Sequence, residues 1–462
     1  MIRIDVLPDD VLLEIFGFHS IMISNRDVGI EAWQSLVHVC RRWRVLVFQS
    51  PRRLSLQLLC THKTPTRGKL NVWPALPLFI HGAMTSTQHL DNIIVALERS
   101  NRVCHVNIWS LTGWQLEKVL ATMQVPFPEL ADLHIHSKDE TVPVIPDSFL
   151  GGSAQRLRFF TLQGIPFPGL PNLLLSATNL DTLQLLDIPD SGYISPEAMV
   201  ALISALSSLE SLELGFRSPQ SRPDWETRRW PPSKRSVIPA LHSFYFKGVI
   251  EYLEDLVTFI NTPQLNALEI IFFNQIDFAF DFPRLAQFIN RTPTIRPLNE
   301  AHVQFYDSDA NVELPPGSGT LRISISCKES DRQLSFIKQI CNSSLWRPLS
   351  TVEVLYIDHE YSQVVWKNDA IENSLWLQLL LPFTAVKDLY VSKEFGPGIA
   401  VALQELVGAR ITEVLPSLQN IFIEGLEASG PLQENVGRFV AARQLSDHPI
   451  SISACNKNPY YM

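Results

Sequence analysis

Four stretches of the chain repeat one pattern of leucines: residues 130–135 (LADLHI), 157–162 (LRFFTL), 180–185 (LDTLQL) and 209–214 (LESLEL). Written as L-x-x-L-x-L, the pattern alternates apolar and other residues in its second half, which is typical of a strand with one buried face. With other apolar residues allowed, it begins at Val103, Leu130, Leu157, Leu180, Leu209, Leu241, Leu265, Val352, Val386 and Leu418. The sequence therefore predicts a strand that returns throughout residues 101–455.

The spacing of these strands predicts what lies between them. Successive starts are 23 to 34 residues apart, except for one step of 87 between Leu265 and Val352. Because 87 equals three steps of 29, two further strands are expected in this interval, at residues 301–305 and 321–325. Apolar residues at three- and four-residue spacing predict helices in the connections, at residues 196–206, 253–260, 334–341 and 399–407.

The N-terminus predicts a short helical segment. Pro8 suits the first position of a helix, and Asp9 and Asp10 follow where the helix dipole favours negative charge. One apolar stripe comprises Val11, Leu12, Ile15 and Phe16, and a second comprises Leu36, Val39, Cys40, Trp43, Leu46 and Val47, before Ser50-Pro51. Two such helices cannot bury enough apolar surface to be stable alone, so we expect their apolar faces to pack against a partner or the rest of the chain.

These residues resemble the F-box, the short helical motif that docks on the Skp-type adaptor of SCF ubiquitin ligases. The resemblance rests on Leu7-Pro8, on residues 14–16 (EIF), on Trp33 and Leu36, on residues 39–44 (VCRRWR) and on Ser50-Pro51 followed by Leu54. Extended to residues 71–77 (NVWPALP), it looks like the F-box proteins that mushroom-forming fungi encode in large expanded families, and it covers residues 4–80. Residues 17–30 depart from the usual motif, since they form a longer and more polar connection.

The resemblance implies that this segment docks on the adaptor or holds its own helices together. The residues it assigns to the adaptor are Leu7, Pro8, Val11, Leu12, Ile15, Phe16, Leu36, Val39 and Trp43. An alternative is that the segment is only a helical cap on the domain that follows.

The region of repeated strands resembles leucine-rich repeats, which implies a solenoid of strand and helix units. It is irregular, because the ninth position of the pattern carries neither Asn nor Cys but Lys138, Ile165, Ile188, Arg217, Val249 and Phe273. We expect an α/β protein with an F-box-like helical module in residues 1–60, a connecting segment and solenoid cap in 61–100, an irregular leucine-rich-repeat-like strand-helix solenoid in 101–455 and a C-terminal tail in 456–462. The alternative, a doubly wound sheet, predicts continuous apolar strands and a Gly-rich phosphate loop, neither of which is present in the sequence.

Composition and charge exclude several classes of protein. The chain of 462 residues is 46% hydrophobic, which indicates a globular protein, and its net charge of -9 argues against a protein built to coat nucleic acid or anionic lipid. Residues 32–90 nevertheless contain eight Lys or Arg residues and no acidic residue. The cysteines are widely spaced, and the sequence shows neither an apolar signal region nor a long apolar run. We therefore expect a cytoplasmic or nuclear protein that does not contact the membrane.

The strand pattern also predicts which side chains point away from the core. Positions four and six of the pattern face the core, so positions three, five and seven face the opposite, concave side. Aromatic residues often anchor protein partners, and the candidate substrate-binding residues on this face are Trp109, His134, Tyr245, Tyr356, Tyr390 and Phe422. The alternative is a face that is only solvated or is covered by a terminal segment.

No catalytic motif is evident in the sequence. It contains no phosphate-binding glycine loop, no H-E-x-x-H and no G-x-S-x-G, and His134 and His136 have no third metal ligand placed by the pattern. We therefore expect no cofactor, no metal and no enzymatic activity. Residues 217–236 contain six basic residues and two tryptophans, and are either a contact for acidic peptide or nucleic acid or a proline-rich insertion.

The resemblance implies a substrate-recognition subunit of an SCF-type ubiquitin ligase, with a Skp-type adaptor, and through it a cullin scaffold, as partners. An unidentified target protein would bind the solenoid. The alternatives are a repeat-protein scaffold unrelated to ubiquitin, a nucleic-acid binder that uses Arg41 to Lys69, and a degenerate hydrolase.

Overall fold

The computed structural model describes residues 7–22, 31–167, 172–219, 235–274, 282–294, 299–314, 320–343, 349–359, 373–406, 408–426 and 431–455. The chain divides into two compact units: residues 1–194 with 205–209 form the first, and residues 195–204 with 210–462 form the second. Across the described ranges there are fourteen α-helices and eighteen β-strands. Each unit combines helices with a mostly parallel sheet, so the α/β class predicted from the sequence is confirmed.

The helices of the first unit begin with the predicted N-terminal segment. They are α1 Asp9–Met22, α2 Trp33–Val37, α3 Arg41–Gln49, α4 Thr66–Val72, α5 Thr87–Leu97, α6 Gly113–Thr122 and α7 Asn172–Ser176. The carbonyl of Pro8 accepts a hydrogen bond from the Leu12 N–H at 3.1 Å, so the first turn begins at the predicted place. The second apolar stripe divides into α2 and α3 because the backbone of Cys40 is extended (φ -157°, ψ 170°).

A parallel sheet follows these helices in the first unit. Its strands are β1 Leu58–Thr61, β2 Leu78–Ala83, β3 Val103–Leu111, β4 Asp132–Ser137, β5 Phe159–Gln163 and β6 Thr182–Ile188. Consecutive strands pair in parallel and in sequence order. Parallel neighbours need a crossover between them, and α5 and α6 supply two of these connections. The first two strands were not predicted, because neither fits the L-x-x-L-x-L pattern.

The second unit continues the alternation of strands and helices. Its helices are α8 Pro196–Ala205, α9 Ile250–Phe259, α10 Pro283–Arg291, α11 Ser330–Asn342, α12 Asn373–Leu380, α13 Gly396–Gln404 and α14 Pro431–Leu445. The strands are β7 Ser211–Phe216, β8 Ser236–Val237, β9 Ser243–Gly248, β10 Ile260–Asn261, β11 Ala267–Phe273, β12 Glu300–Phe305, β13 Asp309–Leu314, β14 Thr320–Ser326, β15 Val354–His359, β16 Asp388–Val391, β17 Asn420–Glu424 and β18 Ser451–Cys455. All four predicted inter-strand helices are present, as α8, α9, α11 and α13.

The interval between β11 and β15 differs from the prediction. Both predicted strands exist as β12 and β14, but β13 lies between them and pairs antiparallel with each. The order in the sheet is therefore β11-β14-β13-β12-β15, in which β12, β13 and β14 appear in the reverse of their order in the chain. The short links between these three strands explain the antiparallel pairing, because a parallel pair needs a much longer crossover. The sequence predicts two strands in this interval, whereas the structure has three, which form an antiparallel meander.

Burial follows the predicted alternation along the strands. Positions four and six of all ten L-x-x-L-x-L matches are buried, as Leu133 and Ile135 illustrate on β4. These side chains form the core under the sheet, together with apolar residues of the helices such as Leu253 and Leu256 on α9. The alternate residues form the opposite face of each sheet, which we call the outward face.

Candidate functional site

The first three helices are held together by a small apolar core. Leu12 and Phe16 on α1 are completely buried, and Leu36 on α2 is nearly so. The Phe16 ring lies 4.7 Å from the half-buried ring of Trp43 on α3, measured between centroids. These four residues, all predicted to contact the adaptor, therefore pack within the module and position its helices.

Two ion pairs fasten α1 to the segment that follows it. Arg42 on α3 pairs with Asp9 at 2.6 Å and donates a hydrogen bond to the carbonyl of Leu7 at 2.7 Å. Arg53 pairs with Glu14 at 2.6 Å. These pairs are solvent-exposed, so each contributes about 1 kcal/mol at most, but together they set the orientation of α1.

One side of α1 presents apolar side chains to solvent. Val11, Ile15 and Phe18 are 42%, 39% and 63% exposed, and their spacing of four and three residues places them on a single face of the helix. We call these three residues the α1 stripe. Soluble proteins expose large apolar side chains singly, whereas a contiguous group of them marks an interaction surface. The side of α1 opposite the α1 stripe packs on α2 and α3, so the stripe is available to another molecule.

The structure therefore divides the predicted adaptor-binding residues into two groups. Pro8, Val11, Ile15 and Val39 are exposed, while Leu12, Phe16 and Leu36 are buried, and Leu7 and Trp43 are half-buried. Sequence reasoning missed Phe18 and Val45, which are exposed apolar residues of α1 and α3. Phe18 continues the spacing that begins at Val11, and this spacing was the signal that could have identified it.

The basic segment near the N-terminus is largely engaged within the chain. Besides the pairs made by Arg42 and Arg53, Lys69 pairs with Glu31 at 2.8 Å, and Arg44 donates to the carbonyl of Val37 at 2.9 Å. Half of the eight cations of this segment therefore hold the protein's own elements together, which weakens the expectation of a phosphate-binding patch. Of the second basic segment, residues 217–236, residues 220–234 lie outside the described residues.

The outward face of the first unit carries two predicted substrate-binding residues. His134 lies in register between Asn107 and Thr161, and burial lowers its pKa, with the nearby imidazoles of His136 and His105 adding to the effect. Trp109 is half-buried, with its ring 4.7 Å from that of His81 in an edge contact. This face carries polar and aromatic side chains together with the carboxylate of Asp132, which lies 3.2 Å from the imidazole of His105.

Four rings stack across neighbouring strands on the outward face of the second unit. The rings of His302, Tyr356, Tyr390 and Phe422 lie on β12, β15, β16 and β17 and are directly opposite one another in register. Their centroids are separated by 4.5, 4.6 and 4.4 Å, and successive rings are tilted by 12°, 18° and 12°. We call these four residues the ring ladder.

The ring ladder corrects the expectation that the tyrosines of this face are exposed. Tyr356 is only 8% exposed, since His302 and Tyr390 cover both faces of its ring, and Tyr390 is half-buried. Burial raises the pKa of the Tyr356 hydroxyl to about 12. Trp109 and Tyr245, which were also expected to be exposed, are half-buried. Stacking between strands in register, which the sequence does not report, covers Tyr356 and part of Tyr390.

The six predicted substrate-binding residues do not converge on one point. Tyr356, Tyr390 and Phe422 are adjacent members of the ring ladder, whereas Tyr245 on β9 lies in register between Glu213 and Glu269. Four strands, β11, β14, β13 and β12, separate Tyr245 from Tyr356 in the sheet order. Sequence reasoning missed His302 because the register of β12 was unknown.

The described residues contain neither a candidate metal centre nor a candidate membrane-spanning helix. No three His, Cys, Asp or Glu side chains in the described ranges are grouped so that they could hold a metal ion, and His134 and His136 acquire no third ligand there. No helix in the part of the chain that the structure describes is both long and apolar enough to cross a lipid bilayer.

Comparison with known proteins adds no assignment to this geometry. No protein-family model matches the chain. A search of the curated proteins likewise finds no match.

Proposed function

We propose that the chain is a non-catalytic substrate-recognition subunit of an SCF-type ubiquitin ligase. In this proposal α1, α2 and α3 act as an F-box that docks on a Skp-type adaptor and, through it, on a cullin scaffold. The strand and helix units that follow act as an irregular solenoid that holds the target protein. A ubiquitin-conjugating enzyme brought to the same complex then reaches the lysines of the target, because tethering makes the encounter intramolecular.

The α1 stripe is the observation that best supports this proposal. Its three side chains project from a helix whose other side is fixed by Phe16 and by the Arg42–Asp9 ion pair. Covering such a side chain on binding contributes on the order of 1 kcal/mol for the exposed part of each residue. Pro8 and Val39 are exposed as well, and the proposal assigns both of them to the adaptor.

A cytoplasmic or nuclear location follows from this proposal, since the adaptor and the cullin act there. A scaffold unrelated to ubiquitin is the competing function and needs only the outward faces of the sheets. The two functions differ in one requirement, because only the ubiquitin-ligase subunit must bind the adaptor through α1.

Binding of the full chain to a purified Skp-type adaptor tests the proposal. Ile15→Lys keeps helix propensity and places an ammonium in the α1 stripe, so we expect adaptor affinity to fall by about thirtyfold, which corresponds to about 2 kcal/mol. Val144→Lys is the matched control, since Val144 is 46% exposed and lies outside α1, α2 and α3. We expect this control to change the affinity by less than about twofold. Calorimetry of the chain titrated with adaptor measures both.

A third variant separates docking from support. Phe16→Ala removes a completely buried ring, so we expect it to lower the free energy of unfolding by about 3 to 5 kcal/mol, whereas Ile15→Lys should leave the melting temperature nearly unchanged. If the unmodified chain does not bind the adaptor, the ubiquitin-ligase function is wrong and the scaffold is favoured. Equal affinities of Ile15→Lys and the unmodified chain would exclude the α1 stripe as the docking surface.

A further inference from the structure

The ring ladder of the second unit is surrounded by negative charge. On five neighbouring strands, β12, β15, β16, β17 and β18, every second residue points to the outward face. The first outward residues of these strands are, in the same order, Glu300, Val354, Asp388, Asn420 and Ser451, and the outward residues number fourteen in all. Four of the fourteen are acidic, namely Glu300, Asp358, Asp388 and Glu424, and none is Lys or Arg. A sheet face of this composition attracts cations and repels anions.

Three of these carboxylates keep their charge available. Within the described residues, no Lys or Arg nitrogen lies within 4.0 Å of the carboxylate oxygens of Glu300, Asp388 or Glu424. Asp388 accepts a hydrogen bond from the amide of Asn420 at 2.7 Å, which orients the carboxylate without neutralising it. All three are partly accessible to solvent.

The titration behaviour of the ladder agrees with this charge distribution. Burial raises the pKa of Tyr356, and the carboxylates of Glu300, Asp358 and Asp388 raise it further. The pKa of Tyr390 is raised by burial and by Asp388 and Glu300. The pKa of each hydroxyl is therefore raised first by burial and then by the carboxylates on the same sheet face.

The geometry of the rings determines what they can offer a ligand. Because the rings stack on one another at 4.4 to 4.6 Å, the ring faces between them are occupied. His302 and Tyr356 are buried in the stack, whereas Tyr390 and Phe422 are half-buried. A cation gains from the π electrons only when it lies over a ring face, and stacking closes both faces of Tyr356 and Tyr390 to such a cation. The accessible parts of Tyr390 and Phe422 provide a narrow apolar surface on which the methylene groups of a long side chain can lie.

We propose that this surface binds a Lys- and Arg-rich segment of the target protein in an extended conformation. The proposal rests on the function proposed above and specifies the chemistry of the target. Lysine and arginine combine an apolar stem, which fits the ring edges, with a cationic end, which pairs with Glu300, Asp388 and Glu424. Five neighbouring strands spaced about 4.8 Å apart span about 19 Å, the length of about six extended residues.

Other ligand classes do not match this surface. A nucleic acid would place phosphates next to the carboxylates, which is unfavourable because like charges repel. An acidic or phosphorylated peptide is disfavoured for the same reason. A purely apolar segment would bury the carboxylates without partners, and each unpaired buried charge costs several kcal/mol.

A direct binding experiment with the full chain tests this proposal. The probe is a fluorescein-labelled ten-residue peptide of alternating lysine and serine, and the reference is the same peptide with glutamate in place of lysine. We expect the lysine peptide to bind, with an affinity that falls as salt is added, and the glutamate peptide not to bind. Fluorescence anisotropy measures both. Equal binding of the two peptides would overturn the proposal.

Matched variants distinguish the surface from the net charge of the protein. The double variant Glu300→Gln and Glu424→Gln should lower the affinity for the lysine peptide by about tenfold, because two charge pairs are lost. The control is the double variant Glu98→Gln and Glu117→Gln, which removes two exposed carboxylates of the first unit and changes the net charge by the same amount. We expect this control to lower the affinity for the lysine peptide by less than about twofold. Equal weakening by the two double variants would mean that the peptide senses only the overall charge, and the proposal would be wrong.

A second measurement needs no variant. Carbodiimide labelling of carboxylates with glycine ethyl ester, read by mass spectrometry, should show protection of Glu300, Asp388 and Glu424 by the lysine peptide. Absence of protection at all three contradicts the proposal. The adaptor titration on the same preparation is independent: adaptor binding without peptide binding overturns only the basic-segment proposal, and peptide binding without adaptor binding overturns only the ubiquitin-ligase function.

Discussion

Acid should destabilise the second unit through a single imidazole. His302, at one end of the ring ladder, is 2% exposed, and burial lowers its pKa to about 4 from the usual 6.5. Between these two pH values the unfolded chain takes up a proton on this histidine while the folded chain does not. Stability is therefore complete above about pH 6.5 and is lost as the pH falls towards about 4.

The size of the effect follows from the two pKa values. The interval from 6.5 to about 4, at about 1.36 kcal/mol per pH unit, corresponds to a total loss of about 3 kcal/mol. By pH 5 about 2 kcal/mol of this has been lost, because the unfolded state is then almost fully protonated at this position. For comparison, a folded protein is typically stable by about 5 to 15 kcal/mol in total.

His302→Phe isolates this contribution. Phenylalanine keeps a flat ring against Tyr356 but cannot titrate. The free energy of unfolding of the variant, relative to that of the unmodified chain, should therefore rise by about 2 kcal/mol as the pH falls from 7 to 5. The carboxylates of Glu313, directly across on β13, and Glu300, on the same strand, are present in both proteins, so their contributions largely cancel in the comparison.

Urea denaturation at several pH values between 7 and 5, followed by tryptophan fluorescence, gives the difference between the two proteins. If this difference does not change with pH, His302 is not held neutral by burial and the reasoning is refuted. A difference that changes in the opposite direction would mean that the folded chain stabilises the imidazolium, which also contradicts it.

Two further predictions concern side chains that satisfy backbone groups from a distance. The Glu254 carboxylate of α9 accepts hydrogen bonds from the N–H groups of Arg284 at 3.1 Å and Leu285 at 2.7 Å, at the start of α10. We therefore expect Glu254→Ala to lower the free energy of unfolding by about 2 to 3 kcal/mol, and Glu254→Gln to lower it by less. Equal losses for the two variants in urea denaturation would refute a role for the charge. The completely buried Arg443 donates a hydrogen bond to the carbonyl of Leu415 at 2.6 Å. Arg443→Met leaves buried acceptors unpaired, so it should lower the free energy of unfolding by about 3 kcal/mol, and Arg443→Lys should lower it by less. An unchanged melting temperature of the Met variant would contradict this prediction.

Much of the secondary structure could be derived from local patterns. Each L-x-x-L-x-L match lies on a strand, because alternation of apolar residues and burial of one strand face are two expressions of the same two-residue period. The strands that were not predicted, β1, β2, β8, β10, β13 and β18, lack that pattern. The reversed order of β12, β13 and β14 was also missed, because a pattern within one strand carries no information about its partner.

The α1 stripe shows the same division between local and nonlocal information. The spacing of apolar residues after Pro8 indicates a helix that has apolar side chains on more than one side. It does not indicate which side is turned inward. The packing of Phe16 on Trp43 decides that, and it leaves Val11, Ile15 and Phe18 on the outside.

For the sheet faces, the amino-acid order alone establishes that Tyr356, Tyr390 and Phe422 point away from the core, since alternation along a strand is a property of the local backbone. Their assembly with His302 into a stack depends on the register between four strands that are distant in the chain. Register is set by the turns and by the summed packing of each buried face, which exist only once the chain has folded. That is why the strand positions could be derived in advance, while the covering of Tyr356 and the grouping of carboxylates around the ring ladder could not.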